Sequence, residues 1–382
     1  MSKCCKSYRK RLEPHVLESL DLYIWQDNNS EIYDKLRSSN KLKEALEFLK
    51  TDLGSKLKFV KNFTLNCDID CSFAEIFIEL LPNIKTLSLS GAGVNICCLG
   101  EGLTAILKGM KRLEYVNFYQ IDDAISRYTT DTKLFPKSIK SFKAWFRDSP
   151  AYSEDELGFY NTIDASYINL NSLTIISDIM LKNLTCGMPN LQKVEIDYIG
   201  DMDASNIVSF LKANSHIRKL TTIRFGDYNE EIFNAILSSK CLEYWCIDDT
   251  GFNEIEVYNL RSNYSIKYLE IDCSVPELLT LKIINACKNL KILDCMKYGT
   301  VKKLDLSKIE LKINILKLSS FLLTIDDING IDTSNKFNQI HIYLINPNEE
   351  FINEYNIGNP KNYKVIPYTP ISCIRKLINK ND

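Results

Sequence analysis

Histidine is nearly missing from this chain. His15, His216 and His341 are all it has in 382 residues. No two of them fall at metal-ligand spacing, which removes the commonest general base and metal ligand. Cys67 and Cys71 are four apart, but no second Cys or His pair accompanies them, so no zinc site is expected. There is no Gly-x-x-x-x-Gly-Lys loop and no Gly-x-Gly-x-x-Gly, which closes those routes to nucleotide binding. Gly91-Ala92-Gly93 lacks the third glycine and reads as a turn. No Ser-His-Asp or Cys-His set follows from spacing, so no catalytic residue, metal or cofactor is expected. No stretch approaches the roughly 20 apolar residues of a membrane span. The polar start, Met1-Ser2-Lys3-Cys4-Cys5-Lys6, lacks the apolar run of a secretion signal. An excess of one charge is lacking too: the formal net charge is -2, which argues against a chain-wide electrostatic grip on nucleic acid. The 13 cysteines are odd in number and have no disulfide-like spacing. Free thiols in a reducing compartment, cytosol or nucleus, are the expectation.

What the chain has is a recurring phrase. Leu80-Leu81-Pro82-Asn83-Ile84-Lys85-Thr86-Leu87-Ser88-Leu89 ends a short apolar helix pattern, breaks at Pro-Asn, then runs apolar-x-x-apolar-x-apolar. Pro189-Asn190-Leu191-Gln192-Lys193-Val194-Glu195-Ile196 repeats it, as does Lys288-Asn289-Leu290-Lys291-Ile292-Leu293-Asp294-Cys295. Further phrases start at Leu113, Ile139, Leu170, Ile217 or Leu220, Leu242, Ile266, Val301 and Ile313, after a first one on Val60, Phe63 and Leu65. Most intervals fall in the range of roughly 20–29 residues. Short segments with apolar residues three and four apart lie between: Ala74–Leu81, Leu103–Met110, Ile207–Ala213, Glu231–Leu237 and Glu277–Cys287. The step from Leu290 to Val301 is too short for a helix, so the array should become irregular there.

A strand phrase of this form joined to a helix resembles the leucine-rich repeat. The resemblance implies an α/β leucine-rich repeat solenoid, curved, with short parallel strands on the concave face and helices on the convex face. Residues 59–325 carry the repeats. Residues 1–58 read as an N-terminal helical cap, with an amphipathic helix or helix pair over 31–59. Residues 326–382 read as a C-terminal cap and tail: a strand over Gln339–Ile345, then a loose stretch or short basic helix at 371–382. The polar segments Asp122–Pro136 and Phe146–Tyr160 read as inserted loops.

In a strand the side chains alternate, so residues beside the inward apolar pair face out. Expected outward sets are Thr86, Ser88 and Ser90; Tyr115, Asn117 and Tyr119; Ser141, Lys143 and Trp145; Ser172, Thr174 and Ile176; Lys193, Glu195 and Asp197. Later sets are Thr222, Arg224 and Gly226; Tyr244, Cys246 and Asp248; Tyr268, Glu270 and Asp272; Ile292, Asp294 and Met296; Lys303, Asp305 and Ser307. Two features single out a candidate binding face. Tyr115, Tyr119, Trp145, Tyr244 and Tyr268 are large aromatics of the type enriched in hot spots. Glu195, Asp197, Asp248, Glu270, Asp272, Asp294 and Asp305 form an acidic column. A plain alternative is that strand-exit Asp residues cap the following turn. Together the two features suggest a protein partner carrying a Lys- or Arg-bearing segment, with Tyr244 and Tyr268 side by side, one strand spacing apart.

Residues 4–22, from Cys4-Cys5-Lys6-Ser7-Tyr8-Arg9 through Pro14 to Leu20-Asp21-Leu22, read as a basic helix, a Pro break and a strand-like exit. They resemble the C-terminal part of an F-box; its front, with a Leu-Pro helix start, does not precede Met1. This resemblance implies a substrate receptor, or a relic of one, for an SCF-type (cullin) ubiquitin ligase that holds a Skp-family adaptor, with no catalysis by the chain itself. The alternative is a leucine-rich repeat scaffold with no ubiquitin connection. Cys246-Ile247-Asp248 has the Cys-x-Asp form found in some bacterial leucine-rich ubiquitin ligases, but it lies inside a repeat strand and no helical catalytic domain follows.

Overall fold

The computed structural model describes residues 11–21, 39–65, 69–90, 100–121, 133–146, 159–197, 202–223, 229–248, 259–272, 275–295, 304–319, 325–343, 361–366 and 374–379. The chain divides into two compact units, Met1–Leu191 with Ile199–Asp201, and Gln192–Tyr198 with Met202–Asp382.

The recurring phrase builds the same turn each time. Its first apolar residue is buried at Ile84, Leu113, Ile139, Leu170, Leu191, Ile217 and Leu290. The amide of each donates three residues back, as from Ile84 to Leu81, Leu113 to Met110 and Leu290 to Cys287. The next two amides then donate together to one carbonyl of the preceding repeat: Lys85 and Thr86 to Lys61, Glu114 and Tyr115 to Lys85, Lys267 and Tyr268 to Glu243. The Asn just before the first apolar residue has a job in this turn. Asn83 Nδ2 donates to Lys58 O at 3.1 Å, Asn190 to Ile168 O at 2.8 Å and Asn289 to Tyr264 O at 2.7 Å. Each side chain thus satisfies a backbone carbonyl of the preceding turn that would otherwise go unpaired.

In the first unit the strands are β1 (Ser19–Asp21), β2 (Asn62–Leu65), β3 (Thr86–Ser90), β4 (Tyr115–Ile121), β5 (Ser141–Phe146) and β6 (Ser172–Ile175). They pair in parallel in chain order. Between them lie α1 (Ser39–Leu53), α2 (Cys71–Leu80) and α3 (Gly100–Gly109), and α4 (Asp178–Asn183) follows β6. Asp70 caps α2 by accepting from the Phe73 amide at 2.7 Å. That helix buries Phe73, Ala74 and Phe77, and the Phe77 ring meets Phe63 of β2 edge-on at 5.0 Å. Helix α3 approaches the chain before α2 so closely that a Cβ at Gly102 would stand 2.3 Å from Ile69 O. Residues 11–16 are helical through Pro14, and Leu17 N donates to Glu13 O at 3.0 Å. The expected break at Pro14 is therefore not one; the expected strand-like exit is β1. Most of the two expected loops lies outside the described residues, but Leu134 and Phe135, assigned to the first, are buried, with Phe135 packed on Phe142 at 5.2 Å.

In the second unit β7 (Lys193–Asp197), β8 (Lys219–Ile223), β9 (Tyr244–Asp248), β10 (Tyr268–Ile271), β11 (Ile292–Cys295), β12 (Ile313–Ser319) and β13 (Phe337–Tyr343) pair in parallel. Helices α5 (Ala204–Ala213), α6 (Glu230–Leu237), α7 (Glu277–Ala286) and α8 (Ile325–Ser334) accompany them. Asp203 caps α5 and Asn229 caps α6. The phrase at Val301 builds no strand among the described residues: Leu306–Lys308 is a 3₁₀ turn capped by Asp305. Dropping it makes the step from Leu290 to Ile313 an ordinary repeat. The strand expected over Gln339–Ile345 is β13, which begins at Phe337 and carries the repeat phrase once more as Phe337, Ile340 and Ile342, all buried. Beyond it, β14 (Tyr363–Ile366) and β15 (Ile374–Asn379) run antiparallel, β15 against β13. The stretch at 371–382, expected as a loose segment or a short basic helix, is a strand over the residues described. Asp332 fastens this closing element, accepting from the amides of Lys361 and Asn362 at 2.8 Å each, and Tyr363 Oη donates to Phe337 O at 2.6 Å.

The fold is an α/β leucine-rich repeat solenoid, because each repeat buries its apolar face only against its neighbours and every array strand runs parallel in chain order within its unit.

Candidate functional site

Register turns the outward residues into rows. In the first unit the rows are Thr86–Tyr115–Ser141–Ser172, Ser88–Asn117–Lys143 and Ser90–Tyr119–Trp145. Tyr115, Tyr119 and Trp145 are 38%, 53% and 39% exposed. Register brings Tyr119 and Trp145 together, ring centroids 4.8 Å apart and tilted by 63°. Around them stand short polar groups, and Asn117 Nδ2 donates to Ser88 Oγ at 3.2 Å.

In the second unit the first row is Lys193–Lys219–Tyr244–Tyr268–Ile292, and the second is Glu195–Thr221–Cys246–Glu270–Asp294–Lys317. Tyr244 and Tyr268 stand side by side with centroids 4.8 Å apart and planes 31° from parallel. Each hydroxyl reaches diagonally to the next strand: Tyr244 Oη donates to Glu270 and Tyr268 Oη to Asp294. Lys317 Nζ donates to Tyr268 Oη at 2.7 Å and pairs with Asp294 at 3.1 Å. At the other end Lys219 Nζ lies 4.0 Å from the centroid of the Tyr244 ring, a cation–π contact.

The electrostatics follow from this closure. Burial and the bonded Glu270 carboxylate push the Tyr244 hydroxyl far above the ordinary tyrosine range. Burial and Asp294 push Tyr268 up to about 12, with Lys317 opposing. Burial works against the charge of Lys317, but its bonds to Tyr268 and Asp294 overcome that and hold it protonated. Hydroxyls so firmly protonated serve as donors and stacking surfaces, and do not act as nucleophiles or bases near neutral pH. Buried Cys287 is pushed up to about 12 by desolvation, and buried Cys295 higher still; neither is a thiolate nucleophile. Among the described residues no His, Cys, Asp and Glu group could hold a metal ion, and no helix is long and apolar enough to cross a membrane. The described cysteines are free thiols.

Several outward assignments change. Asp294 is buried because Tyr268 and Lys317 cover it. Asp197 is wholly buried at the end of β7, where the chain leaves the pleat and alternation no longer decides exposure. Cys246, Ser141, Thr174 and Ile176 are buried too. In β8 the parity is shifted by one: the phrase starts at Ile217, so Lys219, Thr221 and Ile223 face out. Thr222 takes the third apolar place, donating from Oγ1 to Cys246 O at 3.1 Å. Arg224, Gly226, Met296 and Lys303 lie outside the described residues. Asp305 belongs to the 3₁₀ turn and not to a strand face. Glu195, Asp248, Glu270 and Asp272 are half-buried. Sequence reasoning missed Lys219 and Lys317. Aligning every phrase on its first apolar residue, Ile217 and Ile313 included, puts both in the two rows.

No protein-family model matches the chain, and no curated protein matches it. Solved structures do. The leucine-rich repeat-containing protein LegL7 from Legionella pneumophila is 12% identical, with a TM-score of 0.45 over 74% of this chain and 91% of that one. The Rad7 and Elc1 complex in yeast is 15% identical, with a TM-score of 0.39 over 90% and 86%. The TLR13–ssRNA13 complex is 12% identical, with a TM-score of 0.37 over 77% and 52%. The assignment of the fold rests on the repeat and its parallel ladder, not on these likenesses.

Proposed function

We propose that the chain is a protein-interaction module whose strand faces hold a protein partner. The observation that carries this reading is the set of large aromatics held open on a rigid sheet, Tyr119 against Trp145 with Tyr115 alongside. Rigid aromatics among short polar groups combine large contact area with low entropic cost of ordering. The Tyr244–Tyr268 pair adds a surface that already takes an ammonium group, that of Lys219. A basic side chain of a partner segment exchanges with it, steered by the half-buried Asp248, Glu270 and Asp272. In this reading residues 1–58 and 326–382 close the ends of the array, and the repeats between do the binding.

The finer reading is a substrate receptor for a cullin-type ubiquitin ligase. The resemblance of residues 4–22 to part of an F-box supports it. Co-elution of the purified chain with a Skp-family adaptor on size exclusion would favour that reading, and separate elution the plain scaffold. For the binding face, the measurement is affinity for a recovered partner. Trp145→Ala and Tyr268→Ala should each cost about 2 kcal/mol or more if they are anchors. Asp272→Asn should mainly slow association and flatten its salt dependence. Unchanged affinity in all three, with circular dichroism intact, would put the partner on another surface.

A further inference from the structure

The second unit carries a groove away from both strand-face rows, where the strands begin. Its volume is about 700 Å³, within the range of ligand sites. Arg218, Glu243 and Lys267 stand immediately before β8, β9 and β10, and their backbones are joined in sequence, Glu243 N to Arg218 O and Lys267 N to Glu243 O, each at 2.9 Å. The turns that follow α6 and precede β10 supply the other walls. Four cations line the groove, Arg218, Lys240, Arg261 and Lys267, against one carboxylate, Glu243. Lys267 and Glu243 pair at 3.0 Å. The excess is therefore Arg218, Lys240 and Arg261, all exposed.

The walls are built stiffly. Asn263 is buried, and its amide nitrogen donates to Leu237 O at 2.8 Å and Ser239 O at 2.7 Å. Its oxygen accepts from the amides of Ser265 and Ile266 at 2.8 Å each. Arg261 is held at its amide by Asn234 at 2.8 Å and at its guanidinium by Ser238 Oγ at 3.3 Å. Two guanidiniums and an ammonium lining one groove, with the Arg261 guanidinium held by Ser238, suit a doubly charged tetrahedral oxyanion better than a single carboxylate. Ser262 also lines a second groove, of about 380 Å³, where Leu260, Leu278 and Leu281 form an apolar wall and Lys282, Lys288, Lys308 and Glu310 line the rest. Leu278 is 68% exposed there, unusual for a leucine and open to an apolar group. Tyr264 is the one exposed aromatic among the lining residues of the larger groove, where nucleic-acid binding calls for a series of stacking platforms.

We propose that the two grooves together receive a phosphorylated peptide segment, its phosphate monoester against Arg218, Lys240 and Arg261 and an apolar side chain against Leu278. This deepens the interaction-module reading and rests on it, but uses a different surface. The test is fluorescence polarisation of the full chain with a degenerate phosphoserine peptide pool carrying one fixed leucine. The unphosphorylated pool, inorganic phosphate and a single-stranded oligonucleotide are the comparisons. The phosphorylated pool should bind at least tenfold tighter than each of the three. Arg218→Glu and Arg261→Glu should each weaken it at least tenfold, and Leu278→Ser about threefold. Lys240→Glu, on an exposed turn, carries the test if either arginine variant fails to fold. Equal binding of the unphosphorylated pool, inorganic phosphate matching the peptide, or tighter binding of the oligonucleotide would overturn the proposal. Loss of phosphopeptide binding in Tyr268→Ala, with the groove variants unaffected, would overturn the groove but keep the interaction module.

Discussion

Tyr115 in the first unit and Tyr268 in the second occupy the same first outward place of their strands, yet one is open and the other tied. The difference lies one strand over and two residues along. That diagonal neighbour is within reach of a tyrosine hydroxyl. For Tyr244 and Tyr268 it is a carboxylate, Glu270 or Asp294. For Tyr115 it is Lys143, by the register of β4 with β5. A hydroxyl that meets a carboxylate closes over it, and a lysine there provides no acceptor. Sheet position alone therefore does not set the state of a tyrosine; the residue on the diagonal decides whether its hydroxyl is engaged within the sheet or left open, and the ring face remains a stacking surface in either case.

The largest test of the contrast is between the two tryptophans. Trp245 is wholly buried in β9 while Trp145 stands out from β5. Trp245→Ala should cost about 3–5 kcal/mol, and Trp145→Ala should stay within roughly 0.5 kcal/mol, both by urea denaturation. A large loss at Trp145 would mean that the open face is part of the core after all.

The next test concerns the lysines. Lys317→Met removes the cation beside buried Asp294 and should cost about 2–3 kcal/mol, since Tyr268 remains as one donor. Lys143→Met should be nearly neutral.

A smaller effect appears with pH. The Tyr268 hydroxyl ionises at about 12 in the folded chain against an ordinary value of 10.0, so the folded state holds its proton longer. Its contribution is fully present below pH 10 and is lost as pH rises from 10 towards 12. Tyr268→Phe should flatten that part of the alkaline stability curve, as urea denaturation between pH 10 and pH 12 would show.

The smallest effect would sharpen the rule itself. Lys143→Glu supplies the missing acceptor for Tyr115 and should add roughly 0.5–1 kcal/mol. No gain would mean that the diagonal is not what ties the second unit's tyrosines.

Much of the fold was legible because alternation and the repeat are local. Ile84, Leu87 and Leu89 declare their inward set without reference to any other part of the chain, and the same holds for Leu290, Leu293 and Cys295. The errors came where one ambiguous residue sets parity, as with Ile217 against Leu220, or where a phrase matched by chance, as at Val301. The strand over Gln339–Ile345 reads in the sequence as part of a cap and not as a repeat, because an aromatic, Phe337, takes its first apolar place.

The sequence by itself determined the repeat, the inward residues of most strands and the pairing of Tyr244 with Tyr268. Those follow from periodicities inside one phrase and from equal spacing between phrases. Only the tertiary structure decided that Asp294 is covered, that Lys219 and Lys317 close the tyrosine pair, and that Arg218, Lys240 and Arg261 share one groove. Those contacts join residues tens of positions apart, and a shift of one residue in register exchanges every partner, so spacing along a single strand could not specify them.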